Sequence, residues 1–178
     1  MKIQAFISLN HWIFYSLVIL ILPSCWPSSV SFMDKGSMPE DWKNFSVKTL
    51  ENNAPNAPLS YTALLSEDIK DGIQNNTRLK LNNTSGTGEI LIEGTVLSYN
   101  VSPIAIQNND EAAKNRLSIS AQFTIFIKAS KEEEMKLNST RFADYDSNAD
   151  FTSVEQSLIT EINKQIVQDL INKLLSNW

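Results

Sequence analysis

The segment from Val154 to Leu175 constrains the fold more than any other part of the chain. Val154, Leu158, Ile162, Ile166, Leu170 and Leu174 recur every fourth residue, with Ile159, Val167, Ile171 and Leu175 in a row beside them. This is the pattern of a helix with one broad apolar face. At 1.5 Å per residue a helix of about 24 residues is roughly 36 Å long, so its face needs a flat apolar partner of similar length. Immediately before it, Thr152-Ser153-Val154-Glu155 has the form of a capping box, in which hydroxyl and carboxylate satisfy free N–H groups at a helix start.

A partner of the right kind lies upstream. Leu117, Ile119, Ala121, Phe123, Ile125 and Ile127 alternate with Arg116, Ser118, Ser120, Gln122, Thr124, Phe126 and Lys128. Period two with one apolar and one polar side describes an antiparallel strand in a sheet covered on one face only.

The remaining elements fill in around this pair. Phe45 to Thr49 alternates and predicts a first strand, ended by the turn-rich "ENNAPNAP". Pro58 suits the first turn of a helix, and Tyr61, Leu65, Ile69 and Ile73 give that helix one apolar stripe opposite Glu67, Asp68, Lys70 and Asp71. A short strand near Arg78 to Leu81 leads into the turn "NNTSGTG", and Glu89 to Tyr99 follows as a strand with Ile90, Ile92, Gly94 and Val96 on one face. The run "KEEE" at 131–134 reads as a solvated hairpin tip, and Met135 to Tyr145 as a further strand. The order strand, helix, several strands, helix predicts an α+β domain, with two helices packed on one face of a four- to five-stranded, mostly antiparallel sheet.

The first two dozen residues stand apart. One cation, Lys2, precedes the apolar stretch from Trp12 to Leu22, which has the length of a signal-peptide core and falls short of the roughly 20 residues that span a bilayer. The expected organisation is a signal peptide at 1–24, a lipidated N-terminus and flexible tether rich in Ser, Pro and Gly at 25–44, and one domain at 45–178.

Chemistry is sparse in what remains. The whole chain of 178 residues carries a net charge of −5 with a single Cys and a single His. Loss of residues 1–24 takes away Lys2 and His11, leaving an acidic domain without histidine, which speaks against nucleic acid or an anionic membrane face as an electrostatic partner. A disulfide within the chain needs a second cysteine, a zinc site needs a ligand cluster, and a thiol nucleophile needs a base. Cys25 is therefore either a lipidation site or an incidental thiol. Leu22-Pro23-Ser24-Cys25 resembles a bacterial lipobox, in which the cysteine is acylated and becomes the new N-terminus; Pro23 departs from the usual small residue. Acyl chains at Cys25 hold a protein to a membrane, each buried methylene contributing about 0.8 kcal/mol.

Several blocks together resemble one family. "ENNAP" at 51–55, "VSPIAIQ" at 101–107, "AAKNRL" at 112–117, "RFADYDS" at 141–147, "VEQSLITEI" at 154–162 and the terminal "NW" are similar to the LptE-type lipopolysaccharide-assembly lipoproteins of Bacteroidetes-like bacteria. The resemblance implies a non-enzymatic outer-membrane lipoprotein, lipid-anchored on the periplasmic face, that plugs and helps assemble an LptD-like β-barrel delivering lipopolysaccharide to the outer leaflet. It implies no cofactor, no metal and no catalytic residue.

For contact with lipopolysaccharide or the barrel, arginines that fork onto phosphates are natural candidates. Arg116 and Arg141 lie in the resemblance blocks, and Arg78 and Lys80 on the short strand. The same arginines equally serve as surface partners of acids, and Asp144 and Asp146 beside Arg141 fit that reading. Gln122 and Thr124, with Ser118 and Ser120, form the polar strand face suited to a wet barrel lumen, with Phe126 and Tyr145 as anchors. Two other classes stay open: a different periplasmic adaptor or ligand-binding lipoprotein, and a carboxylate-dependent hydrolase built on Asp144 and Asp146.

Overall fold

The computed structural model describes residues 38–84, 86–104, 114–129 and 132–176. The expected signal peptide, the lipobox-like segment and the first part of the expected tether lie outside these residues, as does the end of the chain. Ahead of the first strand, Met38 and Trp42 are both buried, and the Arg78 guanidinium donates to the carbonyl oxygens of Met38 and Pro39.

Six strands and two helices follow in the order β1 (Asn44–Val47), β2 (Glu51–Asn52), α1 (Tyr61–Asn76), β3 (Lys80–Leu81), β4 (Ile90–Ile104), β5 (Lys114–Ile127), β6 (Glu133–Asp146) and α2 (Phe151–Leu175). They form one sheet in the order β3-β1-β4-β5-β6, with β2 continuing the β1 side of β4. The two long hairpin ladders, β4–β5 and β5–β6, are antiparallel. Those of β1 with β3 and β4, and of β2 with β4, are parallel.

The sheet is thus mixed and six-stranded, where the sequence led us to expect four to five mostly antiparallel strands. The reason lies in α1. This helix carries the chain from β1 back to the start of β3, which makes the unit a βαβ crossover and forces β1 and β3 to run the same way. The turn at 82–89 then passes β1 to begin β4 level with Phe45, again parallel. Gly86 and Gly88 take φ of 80° and 115° in that turn, a conformation that side chains with a Cβ resist.

Both helices cover one face of the sheet, as expected. Ile90, Ile92, Val96, Leu117, Ile119, Phe123 and Ile125 from the strands are fully buried with Leu65, Ile69 and Ile73 of α1 and Ile162, Ile166, Leu170 and Leu174 of α2. Two close approaches set the packing. A Cβ at Gly94 would stand 2.6 Å from the Phe123 ring and 2.8 Å from Leu50 Cδ2, so the missing side chain leaves room for the aromatic ring opposite. A Cβ at Gly72 would stand 2.2 Å from Val167 Cγ1, so α1 and α2 touch at a point only glycine permits.

The capping box does not form. Helix α2 starts at Phe151, with Asp150 at the N-cap and no side-chain cap hydrogen bond. Phe151 packs against Tyr145, ring centroids 5.7 Å apart, which draws the helix start ahead of Thr152 and places both hydroxyls inside the first turn. Glu155 is turned to another use and accepts a 2.5 Å hydrogen bond from the Tyr99 hydroxyl.

Candidate functional site

With both helices on one side, the other face of the β4–β5–β6 sheet stands open. Its composition follows from register. Across the three strands run the rows Ser102, Arg116, Asp144; Asn100, Ser118, Phe142; Ser98, Ser120, Thr140; Thr95, Gln122, Asn138; Glu93, Thr124, Lys136; and Leu91, Phe126, Glu134. The middle three rows hold hydroxyl and amide side chains and one aromatic ring, with charges confined to the two ends. Inward-facing neighbours are hydrophobic from Leu117 to Ile127 of β5, so the alternation of one strand separates core from open face.

At one end the open face is built rather than merely solvated. Arg116 donates from Nε and Nη2 to the two Asp144 carboxylate oxygens at 2.7 and 2.9 Å. Its guanidinium carbon lies 3.5 Å from the centre of the Phe142 ring, a stacked cation–π arrangement. Phe142 is 46% exposed. The hydrogen bonds from Arg116 hold the Asp144 carboxyl below the usual carboxylate range, so the pair stays ionised at any physiological pH. One row in, Ser120 and Thr140 share a hydrogen bond of 2.9 Å. At the other end, Gln122 and Thr124 line a polar hollow of about 120 Å³ with Lys48, Thr49, Glu51, Glu93 and Thr95. The hollow opens because the β1–β2 segment carries one residue more than β4 between the pairs Val47–Ile92 and Glu51–Thr95, an irregularity that interrupts the ladder.

Of the six contact candidates, the open face brings together Arg116, Gln122 and Thr124. Arg141 is not among them. It stands an odd number of residues from Asp144, hence on the helix side of β6, and pairs with Asp169 of α2: Nε donates to Oδ2 at 2.7 Å and Nη2 to Oδ1. The Ser139 hydroxyl adds a 2.6 Å bond to the same Oδ2, and Arg141 holds Asp169 below the usual carboxylate range. The pairing of Arg141 with Asp144 and Asp146 is thereby corrected; Asp144 belongs to Arg116. Tyr145 is corrected likewise as an anchor, being buried under α2 against Phe151. Arg78 and Lys80 sit at the distant β3 end, lining a groove with Glu40, Trp42, Lys43 and Asn44, where Arg78 is committed to the Met38 and Pro39 carbonyls.

Phe142, Asn138 and Thr140 were not singled out from the sequence, although their even parity with Asp144 in β6 would have placed them on this face. Asp169 gave no signal at all, since its partner is fixed only by how α2 lies on β6. Among the described residues no group of three or more His, Cys, Asp or Glu side chains is placed to hold a metal ion, and no helix is long and apolar enough to cross a membrane.

An open polar face on a two-helix α+β body can be compared with known proteins. The family described as "LptE: Lipopolysaccharide-assembly" matches residues 42–174. The chain belongs to the LptE family. At that level it is a lipopolysaccharide-assembly protein. The solved structure of the hypothetical protein CT253 from Chlamydia trachomatis shares the fold, with a TM-score of 0.51 at 13% identity over 76% of this chain and 99% of that one. A minor lipoprotein from Acinetobacter baumannii reaches a TM-score of 0.45 at 18% identity, covering 76% of this chain and 94% of that one. Lipoprotein B from Nitrosomonas europaea reaches 0.46 at 16% identity, covering 78% and 84%. No curated protein matches in sequence.

Proposed function

We propose that this LptE-family protein is anchored through Cys25 in the periplasmic leaflet of the outer membrane and plugs an LptD-type β-barrel. In that position it helps assemble the barrel and deliver lipopolysaccharide to the outer leaflet. The observation that carries the reading is the open face of β4, β5 and β6. A wet, polar barrel lumen is matched by a rigid face of hydroxyl and amide groups whose charges are paired in place. Scale agrees with it. Five strand positions about 4.8 Å apart, backed by a helix layer of about 10 Å, give a cross-section on the order of 20–25 Å, far too wide for the interior of a barrel of about 8 strands, which its own side chains fill.

The single native cysteine makes the contact testable. Ser120→Cys on the open face and Glu161→Cys on the exposed side of α2 are each treated with a short thiol–photoreactive cross-linker in outer membranes. The reading expects both proteins to join a large β-barrel, the Ser120→Cys protein in the higher yield. Adducts with periplasmic soluble proteins only would return the chain to the adaptor reading.

A further inference from the structure

One corner of the molecule differs from the rest in charge. No charged residue occurs between Glu51 and Glu67, nor between Glu93 and Asp110. The fold brings these two runs together: the Asn53 amide donates to the Val96 carbonyl at 2.9 Å, and the Tyr61 and Tyr99 rings meet edge to face at 5.7 Å. Of the four exposed large apolar residues among the described residues, three lie here: Leu59 at 97%, Leu97 at 44% and Val101 at 45% exposure.

The same corner carries an unpaired sheet edge. Strand β4 is matched by β5 along its length, but on its other side β1 and β2 pair only as far as Val96. Among the described residues no strand lies beside that side from Leu97 to Ile104. Sheet edges are normally guarded by charge, and the opposite edge obeys the rule: β6 carries Glu133, Glu134, Lys136, Arg141, Asp144 and Asp146. The stretch Leu97-Ser98-Tyr99-Asn100-Val101-Ser102 carries none.

We propose that the free β4 edge at 97–104 receives an extended, uncharged strand of the barrel partner. The inference rests on the plug reading and names the contact. An unpaired row of N–H and C=O groups is satisfied by another polypeptide backbone and left unsatisfied by acyl chains, which favours a strand over lipid. The absence of charge selects an uncharged strand, and Leu59, Leu97 and Val101 supply apolar contacts beside the ladder. Continuity locates the donor. Ser98, Asn100 and Ser102 belong to the open-face rows and to this edge at once, so a partner lying on that face reaches the edge without a second docking event.

The test is amide exchange on the full chain, purified alone and with its co-purifying barrel in the same detergent. The expected result is at least tenfold slower exchange across 97–102 in the complex. Leu97→Lys with Val101→Lys, which alters exposed side chains only, is expected to lower recovered barrel about tenfold with an unchanged thermal midpoint of the free chain. A complex with no added protection at 97–102 overturns the strand contact and leaves the plug intact. Recovery without any barrel overturns both. Protection that appears in the free chain with rising concentration assigns the edge to a second copy, and protection from added phospholipid vesicles assigns it to lipid; either result overturns the proposal.

Discussion

Arg141 and Asp169 join β6 to α2 through two charge-assisted hydrogen bonds, with Ser139 as a third donor. Bonds of this kind contribute about 1.5–3 kcal/mol where shielded, and the Arg141 side chain is 43% exposed, so Asp169→Asn is expected to cost about 1–2 kcal/mol in denaturant unfolding. The sign of the pH effect follows from the depressed carboxyl. Its contribution is fully present above the ordinary carboxylate value near 4 and is lost as pH falls through the lower folded value. The stability difference between wild type and Asp169→Asn is therefore expected to hold at pH 7 and to shrink as pH falls below the ordinary carboxylate value. A second prediction concerns Gly94, where a methyl group meets the Phe123 ring and Leu50. Gly94→Ala is expected to destabilise by about 1–3 kcal/mol, read from the shift in the unfolding midpoint at constant slope. At this scale the sequence told part of the truth. Alternation correctly put Arg116, Gln122 and Thr124 on one polar face. It also held, unused, the information that Arg141 and Asp144 face opposite ways, whereas the Arg141–Asp169 pair needs tertiary geometry that no local pattern encodes.

Between the two helices, α1 meets α2 closely at Gly72 and Val167. Alanine is favoured over glycine in a helix by about 1 kcal/mol, but its Cβ would collide with the stiff, β-branched Val167. Gly72→Ala is thus expected to destabilise the wild type and to stabilise a Val167→Ala background, a change of sign that a double-mutant cycle measures directly. The two helices and the three long strands were legible because each buries one face, and a face repeats. What escaped were features that interrupt repetition. The β4 ladder shifts between Val96 and Ser98, which turns Tyr99 inward to meet Tyr61 and Glu155 although strict alternation from Ile90 would point it out. The parallel strands escaped because β2 and β3 are two residues each, too short to carry a period. The capping box failed as a signal because Phe151 found an aromatic partner in Tyr145.

On the scale of the whole molecule, the design separates three tasks. One sheet face and two helices make the core, the other face stays polar and open, and an uncharged corner ends the sheet at β4. A body of this kind has a rigid, polar surface to offer a partner. The central claim is that a barrel surrounds it. The measurement that tests this most directly is to tag the C-terminus, extract outer membranes in mild detergent, and identify what co-purifies at stoichiometric amount. A large β-barrel protein recovered one to one is the expected result. Recovery of the lipoprotein alone, under conditions that keep other barrel complexes whole, would contradict it.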